Sequence, residues 1–262
     1  MMRSAGDPDG SSDELTTRGH WDAAWAAPPR WRLPSGLSVA TRNMQRILRR
    51  AVRPGMRVLE LGCAPGKILA WAAADLGARV AGLDYSERGI GWSRMLFERL
   101  GIPADLRCED VFHTTFTPGG FDVVYSFGLI EHFEDPRGIV RAHLALVRPG
   151  GKAIISIPDY GGIYGRLQRR LDPANLAIHN LEIMNVGALR QLAPPELSGD
   201  VRCYRAGRMS PWQLSIERKL PRPVGRTLSY VLNGIGLLQP ADIAALCPLL
   251  VLDITRRIDS AC

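Results

Sequence analysis

Between Arg53 and Asp159 this chain of 262 residues alternates short apolar runs with helix-spaced segments, and that alternation constrains its fold more than any other feature. Arg57–Leu61 (RVLEL) is an apolar run ended by Gly62; Lys67–Leu76 (KILAWAAADL) follows with helical spacing and stops at Gly77. Arg79–Leu83 (RVAGL) is the next strand. Ser86 then suits the N-cap of a helix running to Leu100, stopped by Gly101 and Pro103. Asp105–Cys108 is a weaker third strand and Phe121–Phe127 (FDVVYSF) a fourth, rich in β-branched and aromatic residues. Pro136–Val147 reads as a helix with proline in its first turn, and Lys152–Ile157 (KAIISI) as a fifth strand closed by Pro158. Unbroken apolar strands are buried on both faces, and helices between them make right-handed crossovers. The expectation is an α/β fold with a doubly wound, mostly parallel sheet.

The flanks are less regular. Val39–Val52 predicts a helix with Arg42, Arg46, Arg49 and Arg50 on its wet side, and Met1–Thr17 has the polar composition of a loose tail. Past Asp159, Asn185–Leu192, Arg222–Gly236 and Ala241–Leu246 read as helices, and Asp200–Arg205 and Leu249–Ile258 as the last strands. The chain therefore divides into a tail and helical lid (1–52), a sheet core (53–159) and a substrate-shaping cap carrying the last strands (160–262). Tyr230–Leu252 is the most apolar stretch, but Asn233, Gln239, Pro240, Asp242 and Pro248 interrupt it, so buried protein is expected there rather than a membrane span.

Composition excludes some classes. Five scattered cysteines without a Cys-x-x-Cys pair fit free thiols in a reducing cytoplasm. The net charge is +7, and between Gly161 and Tyr230 eleven basic residues face five acidic ones. An arginine-rich solvated surface and an anionic substrate or partner both account for that excess. No finger spacing, basic zipper or aromatic RNA-binding pattern is present, so nucleic acid is not an expected partner.

In a parallel sheet, ligands sit beyond the carboxyl ends of the strands, where strand order reverses. After the first strand comes Glu60-Leu61-Gly62-Cys63-Ala64-Pro65-Gly66, whose small residues let backbone approach a ligand. Asp84, 22 positions after Gly62, ends the second strand and can accept both hydroxyls of a ribose. A pyrophosphate loop would use G-x-G-x-x-G. Here Glu60 places a carboxylate before the turn and Pro65 removes a donor, which suits a nucleoside bearing an ammonium group. S-adenosylmethionine is such a molecule.

Val58–Lys67, Val80–Ser86, Cys108–Phe112, Phe121–Asp135 and Leu146–Pro158, five motifs in order from Arg53 to Asp159, resemble those of class I S-adenosylmethionine-dependent methyltransferases. The small-molecule branch with the ubiquinone-type O-methyltransferases is most alike. The resemblance implies a Rossmann-like sheet with S-adenosylmethionine as cofactor and S-adenosylhomocysteine as product. It implies that Glu60, Gly62, Cys63, Ala64 and Gly66 line the methionine end, with Asp84 on the ribose and Tyr85 on the adenosine. Asp110 and Val111 would meet the adenine, and Phe127 and Gly128 would lie near the sulfonium. Ala64 departs from the family's usual glycine and narrows the loop slightly.

His132 follows Glu131 just after the fourth strand, beside the expected position of the methyl group. An imidazole suits the removal of a hydroxyl proton, and a histidine at this place serves as base in related O-methyltransferases. Capping or loop ordering, and substrate binding without proton transfer, are the other readings of His132, and Glu131 either orients the ring or ligates a metal. Metal sites need several convergent ligands; the sequence shows no second cluster, so no metal is expected. Trp21 and Trp25 are candidate lid residues over the acceptor, and Tyr160, Tyr164 and His179 are candidates for its pocket. The activity expected is methyl transfer to a small molecule, most simply at oxygen and in natural-product biosynthesis. N- or C-methylation, or a methyltransferase-like protein turned to other chemistry or regulation, are the alternatives. The acceptor would be anionic or hydrophobic, and the protein a monomer or homodimer.

Overall fold

The computed structural model describes residues 15–29, 31–214 and 216–258, so most of the expected tail lies outside the described residues. Five parallel strands run where the apolar runs predict: β1 (Arg57–Leu61), β2 (Arg79–Asp84), β3 (Ala104–Cys108), β4 (Phe121–Phe127) and β5 (Val147–Pro158). β6 (Ser198–Ala206) and β7 (Leu249–Arg256) complete the sheet in the order β3-β2-β1-β4-β5-β7-β6. β7 alone is antiparallel to both its neighbours.

The period-2 alternation of each strand splits the core into two layers. Val58, Val80, Val123 and Tyr125 face α2 (Val39–Ala51), α3 (Lys67–Leu76) and α4 (Glu87–Leu100). Leu59, Leu83 and Val124 face α5 (Pro136–Leu146) on the other side. Helix boundaries follow local chemistry. Ser86 Oγ accepts the Gly89 N–H at the start of α4, and Gly77 and Gly101 end α3 and α4 in left-handed conformations.

A short helix, α1 (Arg18–Ala24), precedes this core. The cap holds α6 (Ile163–Leu171), α7 (Pro173–Ala177), α8 (Val186–Arg190), α9 (Ile216–Lys219) and α10 (Arg222–Leu238). Three expectations need correction. Ala241–Leu246 yields only a single 3-10 turn at Ala244–Leu246, between Pro240 and Pro248. Arg42 and Arg46 are half-buried, with Arg42 donating to the Gly36 carbonyl and Arg46 paired to Asp242 at 2.8 Å. The Tyr230–Leu252 stretch is not uniformly buried: β7 lies in the core, whereas α10 is largely exposed. No described helix is long and apolar enough to cross a membrane.

Candidate active site

Strand order reverses between β1 and β4, so a crevice opens at their carboxyl ends. The loop after β1 forms its floor. Gly62 and Gly66 have φ of 70° and 80°, and a Cβ at Gly66 would come within 3.1 Å of Ser93 and 3.2 Å of Phe97 on α4. Glycine is therefore required where the loop turns into α3. The Ala64 methyl points at Gly89, where an added Cβ would lie only 2.6 Å from it. Gly89 thus makes the room that Ala64 takes up. Cys63 is buried behind the loop as a free thiol.

Two carboxylates flank this loop. Glu60 is buried and accepts a hydrogen bond of 3.0 Å from the Tyr125 hydroxyl; burial pushes its pKa up to about 8. Asp84 accepts the Ala64 and Ser86 backbone N–H groups, both at 3.0 Å. Burial raises its pKa to about 6 against those bonds, which pull it down. Asp110 caps a 3-10 turn, accepting the Phe112 N–H at 2.9 Å, and its other oxygen lies 3.0 Å from His113 Nδ1. Val111 is buried beside it and Tyr85 reaches the Thr16 carbonyl at 3.4 Å. At the end of β4, Phe127 and the following Gly128 are half-buried, and the Gly128 N–H donates to the Ser156 carbonyl.

The loop after β4 brings His132 against residues far away in sequence. Its Nδ1–H donates to the Ile178 carbonyl at 2.9 Å, which fixes the tautomer and leaves the Nε2 lone pair free to accept. His179 lies beside it, with ring centroids 4.7 Å apart, and likewise donates from Nδ1, to Asn175. Burial lowers the pKa of His132 to about 3, and His179 adds to that shift. Glu131 is 1% exposed; burial raises its carboxyl to about 8, and its Oε2 has no hydrogen-bond partner. Ligand atoms of Glu131, His132 and His179 lie within 4.8 Å of one another. The premise behind the no-metal expectation therefore fails: a third convergent ligand comes from the cap. The expectation that Glu131 orients the imidazole also fails, because the Ile178 carbonyl does so.

Trp21 stands edge-on to His132 at 5.0 Å and Tyr160 edge-on to His179 at 5.4 Å, so both join the cluster. Trp25 does not. Its ring packs over Gly89 and its carbonyl accepts from Trp92, on the α4 side of the crevice. Tyr164 is also elsewhere: its hydroxyl donates to the Leu246 carbonyl and accepts the Ser210 N–H, tying α6 to the segments after β6 and before β7. Sequence reasoning missed Asn180 as a clamp. Its backbone N–H donates to the Glu131 carbonyl and its side chain to the Phe133 carbonyl, while Leu15 N–H holds the His132 carbonyl from the other side. It also missed Tyr125, which reads as an ordinary core residue of its strand. A cavity of about 520 Å³ lies away from all these groups, between α2 and the outer strands, lined by Arg50, Lys152, Tyr204 and Asp253 among others.

Residues 37–193 match the family described as a methyltransferase domain. The chain belongs to that family. The methyltransferase-domain match covers β1 to β5 with α2 to α8, and so includes Glu60, Asp84, Asp110, Glu131, His132 and His179. Within this family the chain is similar to a ubiquinone biosynthesis O-methyltransferase of Chromobacterium violaceum, 38% identical over 111 residues, 41% of this chain and 47% of that protein. The alignment thus spans about half of the curated relative. Among solved structures, phosphoethanolamine N-methyltransferase 2 of Haemonchus contortus gives a TM-score of 0.59 at 18% identity, covering 83% of this chain and 53% of that one. The cyclase SpnF gives 0.54 at 16% identity, covering 84% and 81%. These two likenesses show the methyltransferase-domain fold, a Rossmann-like α/β sheet.

Proposed function

We propose that the chain is an S-adenosylmethionine-dependent methyltransferase of the cytoplasm that methylates an oxygen of a small molecule, as in natural-product biosynthesis. The observation that carries the reading is the pairing, across one crevice, of two buried carboxylates at the β1 and β2 exits with a free imidazole lone pair at the β4 exit. Glu60 is placed for the ammonium of S-adenosylmethionine and Asp84 for its ribose hydroxyls, with Gly62, Ala64 and Gly66 letting the backbone close on the methionine end. Family membership and the identity with an O-methyltransferase support the same reading.

When bound, S-adenosylmethionine would supply an electrophilic methyl group to the acceptor oxygen, with the sulfonium leaving as the thioether of S-adenosylhomocysteine. The protonated ether formed is a strong acid, so a weakly basic imidazole is a sufficient proton sink late in the step. His132 Nε2 takes that proton while Ile178 holds the ring. The protein contributes mainly alignment and the exclusion of water.

The unpartnered Glu131 Oε2 favours a second reading, in which Glu131, His132 and His179 hold a divalent cation that orients the acceptor. The two readings part on one set of assays. S-adenosylhomocysteine formation is measured with candidate acceptors for the wild type, His132→Ala and His179→Ala, before and after dialysis against EDTA. With His132 as base, His132→Ala cuts turnover by ~10²–10⁴ at unchanged cofactor affinity, and His179→Ala and EDTA have small effects. Loss of turnover with EDTA and with His179→Ala, restored by added cation, selects the metal. Cofactor binding without any turnover across acceptors, as in a regulatory module, would remove both.

A further inference from the structure

α10 is built the wrong way round for a helix of a water-soluble domain. Its inward face carries Leu232, which packs against the core, and otherwise small or polar residues: Gly225 and Gly236 are buried, a Cβ at Gly236 would clash with the Met209 carbonyl, and Asn233 bonds the Val39 N–H and the Leu37 carbonyl. Most of its other large apolar residues turn outward. Val224, Leu228, Val231, Ile235 and Leu238, spaced by three and four, are between 38% and 85% exposed. That spacing makes one continuous stripe along the helix. The stripe is continuous, unlike apolar residues scattered singly over a surface.

Charge and area decide what covers it. The seventeen residues of α10 include no Asp or Glu, and Arg222 and Arg226 mark its first turns. Lys219 pairs with Asp172 at 3.2 Å, which brings the end of α6, with exposed Arg169 and Arg170, to the start of α10. A second copy is the weaker occupant. A stripe about 25 Å long and one helix face wide offers on the order of 250 Å², short of the roughly 800 Å² per partner that stable interfaces bury.

We propose that α10 is a membrane-docking helix that lies in the plane of an anionic lipid surface, apolar stripe down, with the arginines at its start on the headgroups. This placement does not rest on the reading of the reaction. The experiment is co-sedimentation of the full chain with vesicles of phosphatidylcholine alone and of phosphatidylcholine with 30% phosphatidylglycerol. Wild type partitions onto the anionic vesicles at least tenfold more strongly, and 0.5 M NaCl removes most of that preference. Leu228→Glu with Val231→Glu abolishes binding. Arg222→Gln with Arg226→Gln, which leaves the stripe untouched, weakens it about tenfold and serves if the first variant fails to fold. Equal partitioning of wild type on both vesicles, no partitioning, or a wild type that sediments as a dimer broken by Leu228→Glu without vesicle binding would each overturn the proposal.

Discussion

At Glu60, burial outweighs the Tyr125 hydrogen bond and pushes the pKa up to about 8, so near pH 7 the carboxyl is mostly protonated. An ammonium brought beside it favours the ionised form, so binding must release that proton. Affinity for S-adenosylmethionine then rises with pH from 6 toward 8, by up to about tenfold per unit, and levels off above. Calorimetry at pH 7 in phosphate and in Tris should show enthalpies that differ by nearly one proton's worth of buffer ionisation. Glu60→Gln should bind more weakly and show no buffer dependence. Identical enthalpies in the two buffers for the wild type would remove Glu60 from the ammonium. The position of Glu60 was legible in the sequence because its strand, its glycine turn and its charge are all local. His179 is the contrary case: it lies 47 positions after His132, in a segment with no regular period, and only the folded cap brings the rings together.

Among elements, the joint between α5 and β4 carries a polar group that an apolar pattern hides. His143 is fully buried, donates from Nδ1 to the Ile139 carbonyl one turn back at 2.7 Å, and its Nε2 meets Ser126 Oγ on β4 at 2.9 Å. Burial lowers its pKa to about 4, against about 6.5 in an unfolded chain. Between those values the unfolded state binds the extra proton, so the stability that neutral His143 supplies is whole above pH 6.5 and drains away as pH falls toward 4. By pH 5.5 the loss is about 1 kcal/mol for this residue. Urea unfolding at pH 7.5 and 5.5 should show it, and His143→Leu should shrink the difference between the two pH values by that amount. An unchanged difference would mean the imidazole is not held neutral. The elements themselves were readable where caps and breakers are sharp, as at Ser86, Gly77 and Gly101. They were misread where only composition spoke. Tyr230–Leu252 is apolar enough for a core, yet the small residues of α10 claim much of the inward face and leave most of the large ones outside.

Across the whole molecule, the segment from Leu15 to Trp25 straddles the crevice that the sheet opens. On the β4 side, Leu15 N–H holds the His132 carbonyl at 2.8 Å and Trp21 covers the imidazole. On the β2 side, the Asp22 carboxylate accepts from Ser86 Oγ and the Arg88 N–H, and Trp92 Nε1 donates to the Trp25 carbonyl at 2.9 Å. In the proposed reaction this strap would cover the route of both partners. α1 has seven residues, too few for a helix stable by itself, and hydrogen bonds of this kind contribute about 1 kcal/mol each. The strap therefore opens on its own far more readily than the sheet. Amides of residues 18–25 should exchange with deuterium orders of magnitude faster than those of α3 and β4, and bound S-adenosylhomocysteine should slow them while leaving the sheet unchanged. Asp22→Asn loses the charge that draws Ser86 and Arg88, so its strap should exchange about tenfold faster and its KM for acceptor should rise with little change in kcat. Exchange as slow in residues 18–25 as in β4, with or without ligand, would mean that the strap is a fixed wall and that reactants reach His132 by another route.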